Sequence, residues 1–392
     1  MIHDDTRKIK PGDVFLAVDN GVRFIDSLLV SCVSKIVKLR KEQVCCYLTQ
    51  LWELDLSKVK IIGVTGTNGK TTTTWLVAQI LQAWGKPCRV IGTINSSLTT
   101  PEPFSLLGIL REMIQSGEQY LIMEVSSIGI AENRIAGLPF AVKCLTNITQ
   151  DHLDYHKSFR AYVQAKMSFL RQSGTTIYPR DYKKIMIDFP LSLKGSFNRA
   201  NAQAAYAIAR ELGVPNAVTQ SALENATPPK GRFQLIETTL PFQVIVDYAH
   251  TPDGLINILR AARKLAQNKL IVVFGAGGNR DQTKRPLMGK AADTLADQII
   301  LTNDNPRHED PQTILTAIHS GISRHQPLMI LDRREAIAHA LDIASTGDVV
   351  VIAGKGHETC QIIADTTLHF DDVQIAQGLL RSKEKEPHVQ HR

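Results

Sequence analysis

The chain of 392 residues is 43% hydrophobic and 21% charged, which excludes a disordered or fibrous protein and leaves room for two or three globular domains. Its net charge of +7 suits anionic ligands, yet Lys and Arg are scattered and no basic run is interleaved with aromatics, so nucleic acid is not expected as a partner. Six cysteines without C-x-x-C spacing exclude a disulfide scaffold, and the polar start together with the lack of any long apolar run predicts a cytoplasmic protein with no membrane span.

Residues 1–58 read as a small first unit with "VFLAV" as a strand. From residue 59 strands and helices alternate, the pattern of a parallel sheet covered on both faces. "VKIIGV" is a strand and "TTTTWLVAQILQAW" a helix burying Leu76, Val77, Ile80, Leu81 and Trp84. A helix between Ser105 and Gln115 precedes the buried strands "YLIMEV" and "VKCLTN". After the helix "NRANAQAAYAIARELG", the Pro/Gly punctuation of "ATPPKGRF" closes a unit spanning 59–229. The alternation restarts over 230–382: "FQVIVDYA", a helix from Pro252, "KLIVVFGAGG", a helix to Leu295, "DQIILTND", a helix near 312–322, "PLMILD", a further helix and "DVVVIAGKG". "RSKEKEPHVQHR" ends the periodic pattern and reads as frayed, with 383–392 as a tail. The fold class is α/β.

The stretch "GVTGTNGKTTTT" delivers a Gly-rich turn from a strand into a helix N-terminus. That geometry presents backbone N–H groups and the positive end of the helix dipole to phosphate oxygens. Its spacing departs from G-x-x-x-x-G-K-[ST], since Val64 stands where the first Gly belongs. Gly66, Thr67, Asn68, Gly69, Lys70, Thr71 and Thr72 are the predicted nucleotide contacts, with Lys70 on the terminal phosphates and Thr71 a hydroxyl for Mg²⁺. At strand ends, where open α/β sheets bind ligands, Glu124 and His152 are placed to reach a nucleotide-bound metal. Asp151, His152, Asp154 and His156 crowd one loop, more ionisable groups than packing needs. Over the second rim, "DYAHTPDG", "GAGGNRDQTKRPLMG", "NDNPRHED" and "GKGHE" follow successive strands. Arg280, Lys284, Arg285 and Arg307 there suit carboxylates and phosphates. Two facing rims imply closure around substrates.

Taken in order, "TGTNGKTT", "MEVSS", "TNITQDHLDYH", "GSFNRAN", "VDYAHTPDG", "GGNRDQTKRP" and "GKGHE" resemble the Mur ligases of peptidoglycan synthesis. The MurE-type branch, the UDP-N-acetylmuramoyl-L-alanyl-D-glutamate:meso-diaminopimelate ligases, is the most similar, over about residues 5 to 380. The resemblance implies three domains: a shortened N-terminal one for the UDP-linked substrate, a central P-loop ATPase-like parallel sheet and a C-terminal Rossmann-like unit. It implies ATP and Mg²⁺ as cofactors, a UDP-linked muramoyl dipeptide and meso-diaminopimelate as partners, and a monomer. Lys70, Glu124, His152 and Lys166 would be catalytic, with Thr71, Glu124, His152 and a carbamylated Lys166 at the metal. Asn198, Asn201, Arg232 and Asp247 would join the nucleotide site.

On the same resemblance Thr6, Arg7, Thr99, Thr100, Ser126 and Arg134 would hold the acceptor. Asp304, Asn305 and Arg307 of "DNPR", with Arg280, Gly354 and Glu358, would hold the amino acid. A distal carboxylate on that amino acid suits the Arg307 and Arg280 pair, and a distal ammonium suits Glu358. ATP would phosphorylate the D-glutamate side-chain carboxylate, and the amine would attack the acyl phosphate to give amide, ADP and phosphate. The sequence departs from the family pattern in a brief N-terminal unit, shortened stretches between Leu170 and Gly195 and between Gly92 and Thr99, and at Ile128, Asn279 and Gln234. Two other readings stay open here: a Mur-like amide ligase with a non-peptidoglycan acceptor, and a silent scaffold. "DNPR" and "GKGHE" speak against a folylpolyglutamate or cyanophycin synthetase.

Overall fold

A computed structural model describes residues 2–5, 10, 13–19 and 33–385. The first sheet comprises β1 (Ile2–His3), β2 (Val14–Val18) and β3 (Lys35–Leu39), all parallel and in that order, and leads into α1 (Lys41–Leu51). Leu16 together with Val44 and Leu48 of α1 shares one buried cluster with Leu106, Leu110 and Met113 of α3 (Pro103–Ser116). Trp52 meets Phe104 edge-on at 5.8 Å. The described residues of the first unit therefore lean their apolar face on the next one.

The second sheet contains β4 (Lys60–Thr65), β5 (Cys88–Ile91), β6 (Tyr120–Glu124), β7 (Phe140–Leu145) and β8 (Thr175–Ile177), in the order β5-β6-β4-β7-β8 and parallel throughout. Near-continuous apolar strands are what a sheet covered on both faces requires. One face carries α2 (Lys70–Ala83), α8 (Ser196–Glu211) and α9 (Asn216–Glu224), and the other carries α3 and α6 (Phe159–Leu170). "YLIMEV" and "VKCL", whose ends carry Glu124 and lead to His152, are not neighbours, because β4 lies between them. Their carboxyl ends therefore flank the phosphate loop from its two sides. Short α4 (Ser127–Ala131), α5 (Leu153–His156) and α7 (Pro179–Tyr182) complete this part.

The third sheet includes β9 (Gln234–Ile236), β10 (Gln243–Asp247), β11 (Leu270–Phe274), β12 (Gln298–Leu301), β13 (Leu328–Met329) and β14 (Val349–Ala353), in the order β13-β12-β11-β14-β10-β9. Only β9 runs antiparallel to its neighbour. Helices α10 (Pro252–Arg263), α11 (Lys284–Leu295), α12 (Pro311–His319), α13 (Arg333–Ile343) and α14 (Asp372–Lys385) cover it. The starts follow local chemistry: Thr251 accepts from the Gly254 N–H ahead of Pro252, and Asp310 accepts from Gln312 and Thr313 ahead of Pro311. A hairpin the sequence did not announce, β15 (Cys360–Ile363) with β16 (Thr366–His369), follows β14.

Residues 381–385, read from the sequence as the start of a frayed tail, form the last turn of α14. Glu384 accepts from the Thr239 N–H and the Thr238 hydroxyl, both at 2.7 Å, and Lys383 meets Asp342 at 2.7 Å. The charges that interrupt the apolar period are polar anchors for the helix end.

Candidate active site

The loop between β4 and α2 is built on glycine. Gly69 adopts φ +85 as the residue before α2, and a Cβ there would lie 2.4 Å from the Asn201 Oδ1. At Gly66, φ +150, a Cβ would lie 1.8 Å from the Thr146 hydroxyl. A left-handed φ and a close approach by a neighbour each call for glycine. Asn201 is tied to Asn198 at 3.2 Å, and both are buried on α8 behind the loop. Thr72 is buried in the first turn of α2.

Two lysines converge on this loop. Lys70 donates to the carbonyls of Gly66 at 3.0 Å and Thr67 at 2.9 Å, and Lys166, only 1% exposed on α6, donates to the same Gly66 carbonyl at 2.9 Å. Burial, with the Lys70 cation beside it, pushes the Lys166 amine well below the usual lysine range, against the opposite pull of Asp151. Burial lowers Lys70 as well, opposed by Glu124 and Asp151. The Lys166 amine lies 4.7 Å from the centre of the Tyr162 ring, whose hydroxyl bonds Thr67 at 2.8 Å. Tyr162 was not singled out in the sequence, because nothing about an aromatic in an amphipathic helix distinguishes it from core.

On the other side of the loop the Thr71 hydroxyl donates to Glu124 Oε1 at 2.9 Å. Thr93 adds its N–H to Oε1 at 2.9 Å and its hydroxyl to Oε2 at 3.0 Å. Glu124 is thus a buried carboxylate whose two oxygens are both held in place. Arg232 reaches across from the third-sheet unit and donates to the Thr71 hydroxyl at 3.0 Å, with its guanidinium 4.2 Å from the Tyr248 ring centre. His152 sits at φ +55 ahead of α5, with Nε2 3.4 Å from Asp151. Burial lowers its pKa, as do Lys70, Lys166 and Lys284, against the pull of Asp151. Although burial opposes it, the charges of His152, Lys284 and His250 hold Asp151 well below the usual carboxylate range. Asp247 receives the N–H groups of Phe233 at 2.7 Å and Ala249 at 2.8 Å. It anchors the segments bearing Arg232 and Tyr248.

The acceptor candidates cluster beyond Glu124. Thr99 meets the Thr93 hydroxyl at 3.2 Å, and the Thr100 hydroxyl reaches the Glu124 carbonyl at 3.0 Å and Ser126 at 3.1 Å. Arg134 donates to the Thr100 carbonyl at 3.0 Å and pairs with Glu102 and Glu132. Thr6 and Arg7 lie outside the described residues.

On the opposite rim Arg307 holds φ +52, and its backbone bridges to the hairpin through Ile362 and Ala364. Its guanidinium donates to the Gly278 carbonyl at 2.8 Å. Burial and the adjacent Arg280 lower its pKa, and neither arginine has a carboxylate partner among the described residues. Arg285, expected on this rim, is instead 2% exposed and paired with Glu309 at 2.8 Å, so it is structural. Glu358 Oε2 accepts from Asn305 at 2.9 Å and from Lys355 at 2.9 Å, and its other oxygen has no donor among the described residues. Asp304 packs where a Cβ on Gly354 would lie 2.6 Å from its carboxylate. Lys355, fully buried, went unnamed although "GKGHE" contains it.

The two rims touch. Asn68 donates to Asp253 at 2.8 Å, Gln150 to Thr283 at 2.9 Å, Lys284 lies 3.8 Å from Asp151, and His357 Nε2 lies 3.1 Å from the Thr93 carbonyl. Among the described residues no group of three His, Cys, Asp or Glu is arranged around a metal position, and no helix is long and apolar enough to cross a membrane.

A family model described as the Mur ligase middle domain matches residues 64–187, and one described as the Mur ligase, glutamate ligase domain matches 231–356. The chain is 35% identical to UDP-N-acetylmuramoyl-L-alanyl-D-glutamate--2,6-diaminopimelate ligase of Syntrophomonas wolfei, covering 97% of this chain and 94% of that one. It is 37% identical to the protein of the same name from Geobacillus thermodenitrificans, covering 83% and 80%. The Syntrophomonas alignment runs over 461 positions, more than this chain has residues, so part of it falls opposite gaps here. A solved structure of a ligase of that name superposes with a TM-score of 0.61 at 29% identity, covering 98% and 95%. A MurF ligase of Thermotoga maritima in complex with ADP gives 0.66 at 17% identity, covering 97% and 98%, a likeness of fold.

Proposed function

The chain belongs to the Mur ligase family, and we infer from that membership that it is an ATP-dependent, ADP-forming amide ligase of peptidoglycan precursor synthesis. It joins meso-diaminopimelate to the D-glutamate side-chain carboxylate of UDP-N-acetylmuramoyl-L-alanyl-D-glutamate. We divide it into residues 1–58 for the UDP-linked substrate, 59–229 for ATP and 230–382 for the amino acid, acting as a cytoplasmic monomer.

One observation carries the reading of the site: Arg232 crosses from the amino-acid unit to the Thr71 hydroxyl, which itself donates to Glu124. Phosphate loop, carboxylate and second rim meet at one hydroxyl. Thr71 and Glu124 offer hard oxygen donors suited to Mg²⁺, and Lys166 would join them as a carbamate, an anion its amine cannot mimic. Bound there, the ion would neutralise charge on the phosphoryl oxygens.

The chain's own groups do the rest. Lys70 leaves the Gly66 and Thr67 carbonyls to hold the transferring phosphoryl group, and the loop N–H groups cradle the phosphates. Thr99, Thr100, Ser126 and Arg134 orient the acceptor, so that its carboxylate attacks the γ-phosphorus and ADP leaves. Arg307 and Arg280 clamp the distal carboxylate of diaminopimelate, and the free oxygen of Glu358 takes its distal ammonium. The other amine then attacks the acyl phosphate, phosphate departs, and the amine proton is released. Contact between the rims keeps water from the acyl phosphate. Measuring ADP release across acceptors and amino acids tests the assignment. Turnover that requires the muramoyl dipeptide and diaminopimelate supports it, and equal turnover with lysine refutes it.

A further inference from the structure

We infer that the hydrogen bond from His357 to the Thr93 carbonyl makes the position of Glu124 depend on the amino-acid loop, with His357 a positioning residue for phosphoryl transfer. The inference rests on the function proposed above and adds a route by which one half of the site acts on the other.

The bond spans 264 positions of sequence and joins the loop after β14 to the loop after β5. A carbonyl only accepts, so Nε2 must carry the proton and Nδ1 the lone pair. Burial, with Arg232 nearby, pushes the imidazole pKa down to about 4, so this neutral tautomer persists at neutral pH. Nδ1 is buried without a partner among the described residues. The Thr93 bond is then the only polar tether of the ring among the described residues, and the Tyr248 ring packs against it with centroids 4.8 Å apart.

Thr93 has little freedom to pass such a tether to anything except Glu124. Its N–H and hydroxyl hold the two carboxylate oxygens separately, at 2.9 and 3.0 Å. Gly92 before it is so close that a Cβ would fall 2.2 Å from Glu124 Oε1. Moving the Thr93 peptide therefore moves Glu124. At the other end, Glu358 is the next residue after His357, and its carboxylate is gripped by Lys355 and Asn305. Tyr248 carries His357 on one contact and Arg232 on another, and Arg232 ends on Thr71, the second donor to Glu124. These two bridges, of the several that join the units, thus terminate on one carboxylate through intermediates that leave it little slack.

The test uses the full chain with His357→Phe, His357→Gln and His357→Asn. Phenylalanine keeps a ring against Tyr248 and loses the donor, glutamine places an amide N–H near the Nε2 position, and asparagine is an equally polar amide too short to reach. We expect Phe and Asn to lower kcat by ~10-fold or more, with the KM for diaminopimelate and the calorimetric Kd for ADP within about twofold of wild type. Gln should recover to within ~3-fold of wild type. Wild-type kcat in the Phe or Asn variant overturns the inference. So does a loss confined to KM, or a Gln variant as slow as Asn at an equal unfolding midpoint. A wild-type enzyme that forms no ADP with these substrates would overturn the functional reading instead, and is recognised before any variant is made.

Discussion

Replacing Lys166 with alanine removes the side chain proposed to act as a carbamate, whose amine donates to the Gly66 carbonyl at 2.9 Å. An amine at the ordinary pKa of 10.5 is neutral in about one molecule per thousand near pH 7.5, and each unit by which burial lowers the pKa raises that fraction about tenfold. Lys166 is 1% exposed and is lowered well beyond that ordinary value by burial and the Lys70 cation. Burial therefore raises the share of free base, the form that attacks carbon dioxide. The carbamate formed is an anion beside Lys70, so a like-charge repulsion becomes an attraction. Losing this anion should cost on the order of 10²–10³ in kcat, about 3–4 kcal/mol of transition-state stabilisation. Losing its buried methylenes should lower stability by ~2–3 kcal/mol, which a folded domain can survive. ADP release would be measured for Lys166→Ala with and without a small carboxylate, alongside carbon-13 NMR of enzyme equilibrated with labelled bicarbonate. The reasoning expects partial rescue in the variant and a carbamate resonance in the wild type only. An alanine variant with full turnover, or a wild type without that resonance, refutes it.

Lys70→Ala should lower ADP formation by ~10³-fold or more while leaving the unfolding midpoint near wild type, since the side chain serves the loop and not the core. Wild-type turnover would remove it from the site. Arg307→Ala should reduce kcat/KM for diaminopimelate by ~30–1000-fold without equal gain on lysine, and an undiminished kcat/KM for diaminopimelate would refute the role given to Arg307. In acid, His250 is held at a pKa of about 4 by burial and the nearby Lys284, against about 6.5 when unfolded. The unfolded chain then binds a proton the folded one does not, so stability falls as pH drops from about 6.5 to 4 and this contribution levels off below that, by at most ~3 kcal/mol. His250→Asn should flatten that limb of a urea-midpoint curve, and an unchanged limb would assign it to other groups. Finally, a brief N-terminal unit should make few contacts to uracil and diphosphate, so the bare muramoyl dipeptide should lose less in kcat/KM than in a longer relative. A penalty of several orders of magnitude would show that the pocket is whole.

The loops at strand ends were legible because their chemistry is local. A Gly that tolerates φ +85 followed by Lys and Thr at a helix start is written in consecutive residues, and the apolar strands announce a sheet covered on both faces. What could not be read is whatever depends on strand order or on distant partners. The sequence does not state that β4 separates β6 from β7, and Arg285 looks as available as Arg307 until Glu309, 24 positions away, is seen to hold it. Thr93 is an ordinary loop threonine in sequence. It gains meaning from Glu124 on one side and His357 on the other.

The same distinction applies to the charged end of α14 and to the first unit. Periodicity reports which residues an element buries, and it falls silent where an element is held by polar contacts at its end, as Glu384 holds the 238–239 turn. For the first unit the missing information is where its apolar face goes. Leu16, Val44 and Leu48 share a cluster with α3, the helix that begins just after Thr99 and Thr100. Binding energy from a remote part of a substrate accelerates chemistry only when it is transmitted to the reacting group. A unit with a core of its own could hold a nucleotide yet swing freely. One that shares its core with α3 cannot move without that helix, and the threonines proposed to orient the acceptor stand at the helix's entrance. Packing of Leu16, Val44 and Leu48 on α3 therefore supports precise placement of the carboxylate whatever the size of the segment.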